Sequence, residues 1–503
     1  MNTILAPLRE LGEYEDIQKQ LNTQQGKVSI SGCVDSQKLH MVYGLTEKYD
    51  VKLIVTYSDM KAKELLDDCK LYCRESYYFP AKDLIFYQAD IHSNQLIKER
   101  VAVLRKLLEG EPITIVTTFS ALMAHQLPLS VWQENVIEIE EGGIAEEAAI
   151  ARQLVKMGYE KNYQVEAPGQ FSVRGGIVDI FDLTRENPVR IELWGDEVES
   201  IRSFDIESQR SIEKLTEVSI YPATELILSK KALEDGLARM EKDCKKSAAF
   251  FREETKPEEA HRLEQAVAEL KEQVTQFQSF VNLESYIGYF YEETQSLVDF
   301  VADRKLCICL DEPARIEEHA NAVELEFRES MSTRAEKGYI LPEQMNVLYG
   351  AREIYARLDK NRLLALSTME YKGFPVKFQN RYAVNARNVS SYNNSFPELV
   401  KDLSHYKKNG YRVLLVSASS TRAKRLATDL MDEGLNAFYS DNSQRELQPG
   451  EIMTFYGNVL KGFEYPMLKF VVISESDIFG KQNRKKKKKK VYEGQKIRDF
   501  SDL

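Results

Sequence analysis

The sequence is poor in the residues that usually mark catalysis, metal binding or export. Its 503 residues include six cysteines, six histidines and two tryptophans. The cysteines (33, 69, 73, 244, 307 and 309) form no C-x-x-C pair. Cys69 and Cys73 are spaced i, i+4 on a predicted helix, and Cys307 and Cys309 share one face of a predicted strand. They read as reduced thiols in apolar surroundings, because a zinc site needs more ligands close by. No H-E-x-x-H and no Ser/His/Asp set stands out, although a triad assembled from distant segments leaves no local signature. No run of about 18 apolar residues occurs, so no membrane span and no membrane partner is expected. The opening segment MNTILAPLRELGEYEDIQKQL reads as a short amphipathic helix and lacks the basic and apolar regions of a signal peptide. These absences point to a cytoplasmic protein. Basic charge is also short: the net charge is −11. Phosphate backbones repel such a chain, so it is not expected to grip duplex DNA by itself.

The composition is that of a globular protein, 43 % apolar and 29 % charged. One hydrophobic core stops growing at about 250–300 residues, so three or four domains are expected. Over 28–125, short β-branched runs (KVSISGC, VKLIVTY, ITIVTTF) alternate with helical segments, and Asp35 and Ser58 stand at predicted helix N-caps. Such alternation predicts βαβ units on a parallel sheet. Over 130–225, after a connecting helix near 145–158, short strands separated by turn signals predict a small antiparallel β domain. FSVRGGIVDIF breaks at Gly175-Gly176, and VRIELW and EVESIRSF flank Gly195-Asp196, a two-residue hairpin signal. Residues 228–300 read as mostly helical. KLCICL is a further buried strand, a long helix follows from Pro313, and ALSTMEY and FPVKFQN are the candidates to close that sheet. A second α/β unit starts near 395. No repeat with a period of 20–50 residues is present.

A P-loop would fall after the first strand, where the sequence reads SISGCVDSQKLH. Gly32 is there, but no Gly-Lys-Ser/Thr follows, so the lysine for the β/γ-phosphates and the hydroxyl for Mg²⁺ are both missing. Gly26-Lys27 and Gly480-Lys481 are followed by Val28 and Gln482, which lack the hydroxyl. LCICLDEPARI (306–316) has the apolar run and acid of a Walker B strand. With no P-loop beside it, Asp311 reads instead as the cap of the helix that Pro313 opens. No nucleotide, metal or other cofactor is expected, and no catalytic residue is assigned.

In the β domain, alternation over 189–194 puts Val189, Ile191 and Leu193 on the core face and Arg190, Glu192 and Trp194 on the other. Arg174 precedes the Gly-Gly break on the neighbouring strand. Tryptophan and arginine are enriched at binding hot spots, so Arg174, Arg190 and Trp194 form a candidate partner-binding face. The competing reading is a solvated hairpin face with Trp194 at a domain edge. Glu197 and Glu199 are expected across the hairpin on that same face. Arg484–Lys490, seven consecutive basic residues, reads as a linker or as a weak nucleic-acid contact.

Three stretches carry a resemblance to a known family. They are YFPAKDLIFYQADIHSNQLIKERVAVLRKLLEG, the β-domain string from GYEKNYQVEAPGQF to EVSIYPATE, and GFEYPMLKFVVISESDIFG with the basic run after it. Together they resemble the amino-terminal part of the bacterial transcription-repair coupling factors. The β-domain string is also similar to the excision-repair helicase UvrB, whose intact P-loop and DNA-clamping hairpin have no counterpart here. The resemblance implies a degenerate P-loop-NTPase-like α/β domain over 1–128, completed by a largely helical 227–378. It implies an inserted β-rich UvrA-binding domain over 129–226 and a second α/β domain over 379–480. The basic linker and the start of a truncated polymerase-binding domain would occupy 481–503. It implies a non-catalytic module that binds UvrA through Arg174, Arg190 and Trp194, the last commonly phenylalanine in the family. RNA polymerase and duplex DNA would be engaged by further domains of the full-length ATP-dependent translocases. The alternative is an ATP-dependent DNA helicase or excision-repair subunit of the UvrB type.

Overall fold

The computed structural model describes residues 2–82, 94–276 and 283–480. Arg484–Lys490, the tail after it and 83–93 of the first resemblance stretch lie outside the described residues. The chain divides into two compact units, the first built from 1–387 with 442–446 and 465–468, the second from 388–441, 447–464 and 469–503.

Along the first unit run β1 (Lys27–Ser31), β2 (Val51–Thr56), β3 (Ser76–Phe79) and β4 (Ile113–Thr118). The β-rich insertion follows, with β5 (Ile137–Glu140), β6 (Glu160–Lys161), β7 (Gln170–Arg174), β8 (Ile177–Ile180), β9 (Val189–Trp194), β10 (Glu197–Phe204), β11 (Ser211–Leu215) and β12 (Glu217–Ile220). Then come β13 (Leu306–Asp311), β14 (Leu363–Leu366) and β15 (Asn380–Ala383). The main sheet has the order β15-β1-β14-β13-β2-β4-β3, and every pairing is parallel. Helices cover such a sheet on both faces, which explains why β13 and β4 are buried at every position. The two closing strands are LLAL and NRYA, displaced from the expected ALSTMEY and FPVKFQN. Ser367 and Thr368 already belong to the turn beyond β14, where Thr368 binds Glu312.

Two helix caps separate the expectations. Ser58 accepts from the Lys61 amide and caps Asp59–Cys69 as expected. The helix Gln37–Leu45 starts one residue later than Asp35 would set it, with Ser36 in the cap position.

In the insertion, β6–β11 form a six-stranded sheet in the order β11-β10-β9-β8-β7-β6, and β12 pairs with β5. Phe171, Val178, Ile180, Val189, Ile191, Leu193, Val198 and Ile201 face inward against Ile150 and Leu154 of the helix Glu147–Lys156. Gly175 and Gly176 both have positive φ, as the tight turn between β7 and β8 requires. The exit of the insertion is fixed by a buried ion cluster. Arg100 donates to both oxygens of Glu225 (2.5 and 3.0 Å), and Lys82 lies 2.8 Å from the same carboxylate. Burial pushes the Glu225 carboxyl up, but Arg100 and Lys82 outweigh it and hold its pKa at about 2.

A six-stranded sheet lies in the second unit except for the end residues Arg387 and Tyr465: β16 (Arg387–Asn388), β17 (Arg412–Ser417), β18 (Phe438–Tyr439), β19 (Ile452–Tyr456), β20 (Phe463–Tyr465) and β21 (Phe470–Ser474), in the order β16-β20-β21-β17-β19-β18. The helices Phe396–Lys408 and Ser420–Asp432 pack on it through Leu399, Leu403, Leu426 and Leu430.

All six cysteines are free thiols; five are buried and Cys73 is half-buried. Burial pushes the Cys33 thiol up to about 12. Among the described residues no helix is long and apolar enough to cross a membrane, and no group of three or more His, Cys, Asp or Glu is arranged to hold a metal ion.

Candidate partner-binding face and a self-filled loop

The outer face of the β-domain sheet is ordered by strand register. Directly paired residues share a face, and the pairings build three rows. The first runs Ser172, Asp179, Arg190, Arg202, Lys214. The second runs Arg174, Ile177, Glu192, Ser200. The third holds Trp194 and Glu197 at the hairpin tip. A bulge at Glu199 shifts the register between Val198 and Ser200, so Ser200 and Arg202, not Glu199, face Glu192 and Arg190. Of the two acids expected opposite this strand, only Glu197 is paired with it.

Trp194 is 79 % exposed, as both the partner-binding face and the solvated hairpin face require. The two arginines are placed differently. Asp179 lies on the outer face yet is only 1 % exposed, because guanidinium groups cover it. Arg190 donates to both its oxygens (2.6 and 2.8 Å), and Arg174 donates to one at 3.2 Å. Arg190 also reaches Gln209 (3.0 Å) and lies 4.4 Å from the Phe204 ring centroid. Its bonds to Asp179 raise its pKa further. Arg174 stands 5.7 Å from the exposed ring of Tyr163. Arg202 pairs with Glu192, which also accepts from Ser200 at 2.7 Å. The structure thus brings Arg174 and Arg190 together on one carboxylate, with Trp194 four residues along the same strand as Arg190. Asp179, Arg202 and Tyr163 were missed from sequence. Asp179 alternates with Val178 and Ile180, so its outward position was readable; its role as a shared anchor was not.

The loop after β1, where a P-loop would wrap phosphate, is filled by the chain itself. The Gly32 and Cys33 amides donate to the carbonyls of Thr368 (3.2 Å) and Ser367 (3.1 Å), and the Val34 amide donates to the Gln37 side chain (3.1 Å). Gly32 has φ +77, and a Cβ there would run into the Val384 carbonyl. The glycine is required by backbone packing. Asp311 does not cap the following helix: Glu312 holds that position in a left-handed conformation (φ 57), while Pro313 opens the first turn as expected. Asp311 instead accepts from the buried Lys38 ammonium (2.7 Å) and from the Thr56 hydroxyl (2.8 Å). Lys38 also donates to Glu312 at 2.6 Å. Burial opposes charge on Lys38, but the two carboxylates outweigh it and raise its pKa.

The fold defines a class: an α/β protein whose parallel main sheet is interrupted by an inserted β-rich domain. A family model described as the UvrB interaction domain matches residues 137–226, from the first residue of β5 to just past the Glu225 cluster. Over its whole length the chain is 31 % identical to the transcription-repair-coupling factor of Bacillus subtilis (strain 168), covering 42 % of that protein. It is 26 % identical over 95 % of its length to the factor of Staphylococcus epidermidis (strain ATCC 12228 / FDA PCI 1200), and 25 % identical over all of it to that of Staphylococcus aureus (strain MRSA252). The chain corresponds to the amino-terminal module of the transcription-repair-coupling factors, and spans about two fifths of the length of these relatives.

Proposed function

We propose that this chain is a non-catalytic recruiting module that binds UvrA and so brings nucleotide excision repair to stalled RNA polymerase. In this reading residues 129–226 make the UvrA contact, 1–128 with 227–378 form a frame descended from a nucleotide-binding domain, and 379–480 form a second α/β domain. Polymerase binding and ATP-driven translocation belong to other parts of the full-length factors, and Arg484–Lys490 adds at most a weak DNA contact. One observation carries the reading: an exposed tryptophan on a rigid hairpin, beside two arginines held on a shared buried carboxylate, inside a domain matched as a UvrB interaction domain. The filled loop after β1 weighs against the UvrB-type helicase, because the Gly32, Cys33 and Val34 amides and the buried Lys38 ammonium are committed to partners within the chain.

Calorimetric titration with UvrA tests the reading. Trp194→Ala should weaken binding by about 2 kcal/mol or more, roughly thirtyfold, as loss of a central aromatic anchor does. Arg174→Ala and Arg190→Ala should also weaken it. The melting temperature of Trp194→Ala should stay near wild type, since exposed substitutions shift stability by within about 0.5 kcal/mol. Wild-type affinity in all three variants would refute the assignment.

A further inference from the structure

Glu197 has a paired neighbour on each side. β9 contributes Trp194, and the segment before the helix Glu147–Lys156 contributes Ile144. Three backbone hydrogen bonds fix that second pairing: Gly142 amide to Val198 carbonyl (2.8 Å), Val198 amide to Gly143 carbonyl (2.9 Å) and Ala145 amide to Asp196 carbonyl (2.7 Å). Their pattern makes Ile144 and Glu197 a non-hydrogen-bonded pair, whose Cα atoms stand about 4.5 Å apart. Ala145 packs toward the β-domain core, so Ile144 faces away from it. Ile144 is 89 % exposed, more than any other large apolar residue described. A single exposed isoleucine is ordinary. An isoleucine pinned by backbone bonds in one row with an exposed tryptophan, and continuous with rows carrying three arginines, is a rigid apolar edge with a charged centre.

We propose that Ile144, Glu197 and Trp194 form the apolar end of the UvrA-binding surface, so that the contact spans the full hairpin tip and reaches beyond β10. This inference rests on the reading of the domain as UvrA-binding and extends it to a residue outside the hairpin. The recognised surface on UvrA carries a lysine or arginine between two apolar contacts, the cation meeting Glu197. Carboxylates beside it meet Arg174 and Arg190. The exposed acids Asp196, Glu197 and Glu199 at this tip repel phosphate, which favours a protein surface over a nucleic acid.

The test is calorimetric titration of the whole chain with UvrA, using Ile144→Ala, Ile144→Asp, Glu197→Lys and Trp194→Ala, each checked by thermal melting. Ile144→Ala should weaken binding about fivefold or more, Ile144→Asp more than tenfold, and Glu197→Lys about tenfold. Ile144→Ala removes only exposed atoms and keeps the inference testable if the aspartate variant melts early. Weakening by Trp194→Ala together with wild-type affinity in both Ile144 variants overturns this inference and leaves the UvrA reading standing. Wild-type affinity in all four variants overturns this inference, and wild-type affinity in Arg174→Ala and Arg190→Ala as well overturns the UvrA reading with it. An unaffected Glu197→Lys beside weakened Ile144 variants overturns the proposed cation on the partner.

Discussion

At the scale of single residues, Asp179 organises the candidate face without being able to touch a partner, since it is buried beneath the arginines it binds. Arg190→Ala therefore reports on more than binding, because it uncovers a buried carboxylate at a cost of about 1–3 kcal/mol. Asp179→Asn is the cleaner probe. It keeps the shape, removes the charge shared by Arg174 and Arg190, and leaves two like charges side by side. About a tenfold loss of UvrA affinity is expected, with a melting temperature lowered by only a few degrees; unchanged affinity would show that the arginines need no common anchor. The outward direction of Trp194 was legible in the sequence because strand alternation alone decides the face. The partner of each guanidinium was not, since it depends on which strands pair and in what register.

At the scale of elements, the junction of β13 with the helix Pro313–Glu336 shows how one side chain can close a site. Pro313 at the first turn was legible as a local rule of helix starts. The role of Asp311 was not, because its partner lies 273 residues away on the helix Gln37–Leu45. No local pattern relates Lys38 to Asp311; only the strand order that sets β13 between β14 and β2 does so. Lys38→Met should leave two poorly solvated carboxylates without their counter-ion, a loss of about 3–5 kcal/mol, read as a lower denaturant midpoint of the first unit. In the wild-type chain a fluorescent ATP analogue with Mg²⁺ should give no saturable micromolar binding. An unchanged midpoint in Lys38→Met would mean that the ion pair is dispensable, and saturable binding in wild type that is lost on mutating 31–38 would restore the nucleotide reading.

At the scale of the whole molecule, the alternation of strands and helices was enough to read a parallel sheet, and turn signals a small β domain; the resemblance made that domain an insertion, and the strand order was not legible. Parallel neighbours are joined through long connections, and hydrophobicity alone does not say which buried strand lies beside which. That order has a consequence in time. β1 and β2 are made early, yet β14 and β13 lie between them in the sheet. About 250 residues separate the end of β4 from the end of β14. At roughly 5–20 residues per second, a ribosome needs about 12–50 s to supply the missing strands. The insertion, contiguous from 137 to 226, has no such wait. Stalled nascent chains should therefore resist protease over 137–226 once residue 226 has emerged, while 27–118 stays cleavable until 366 has emerged; early protection of 27–118 would contradict this order. During that interval the cell holds a finished β-rich domain on an unfinished frame, whose apolar strands are the part most in need of a chaperone.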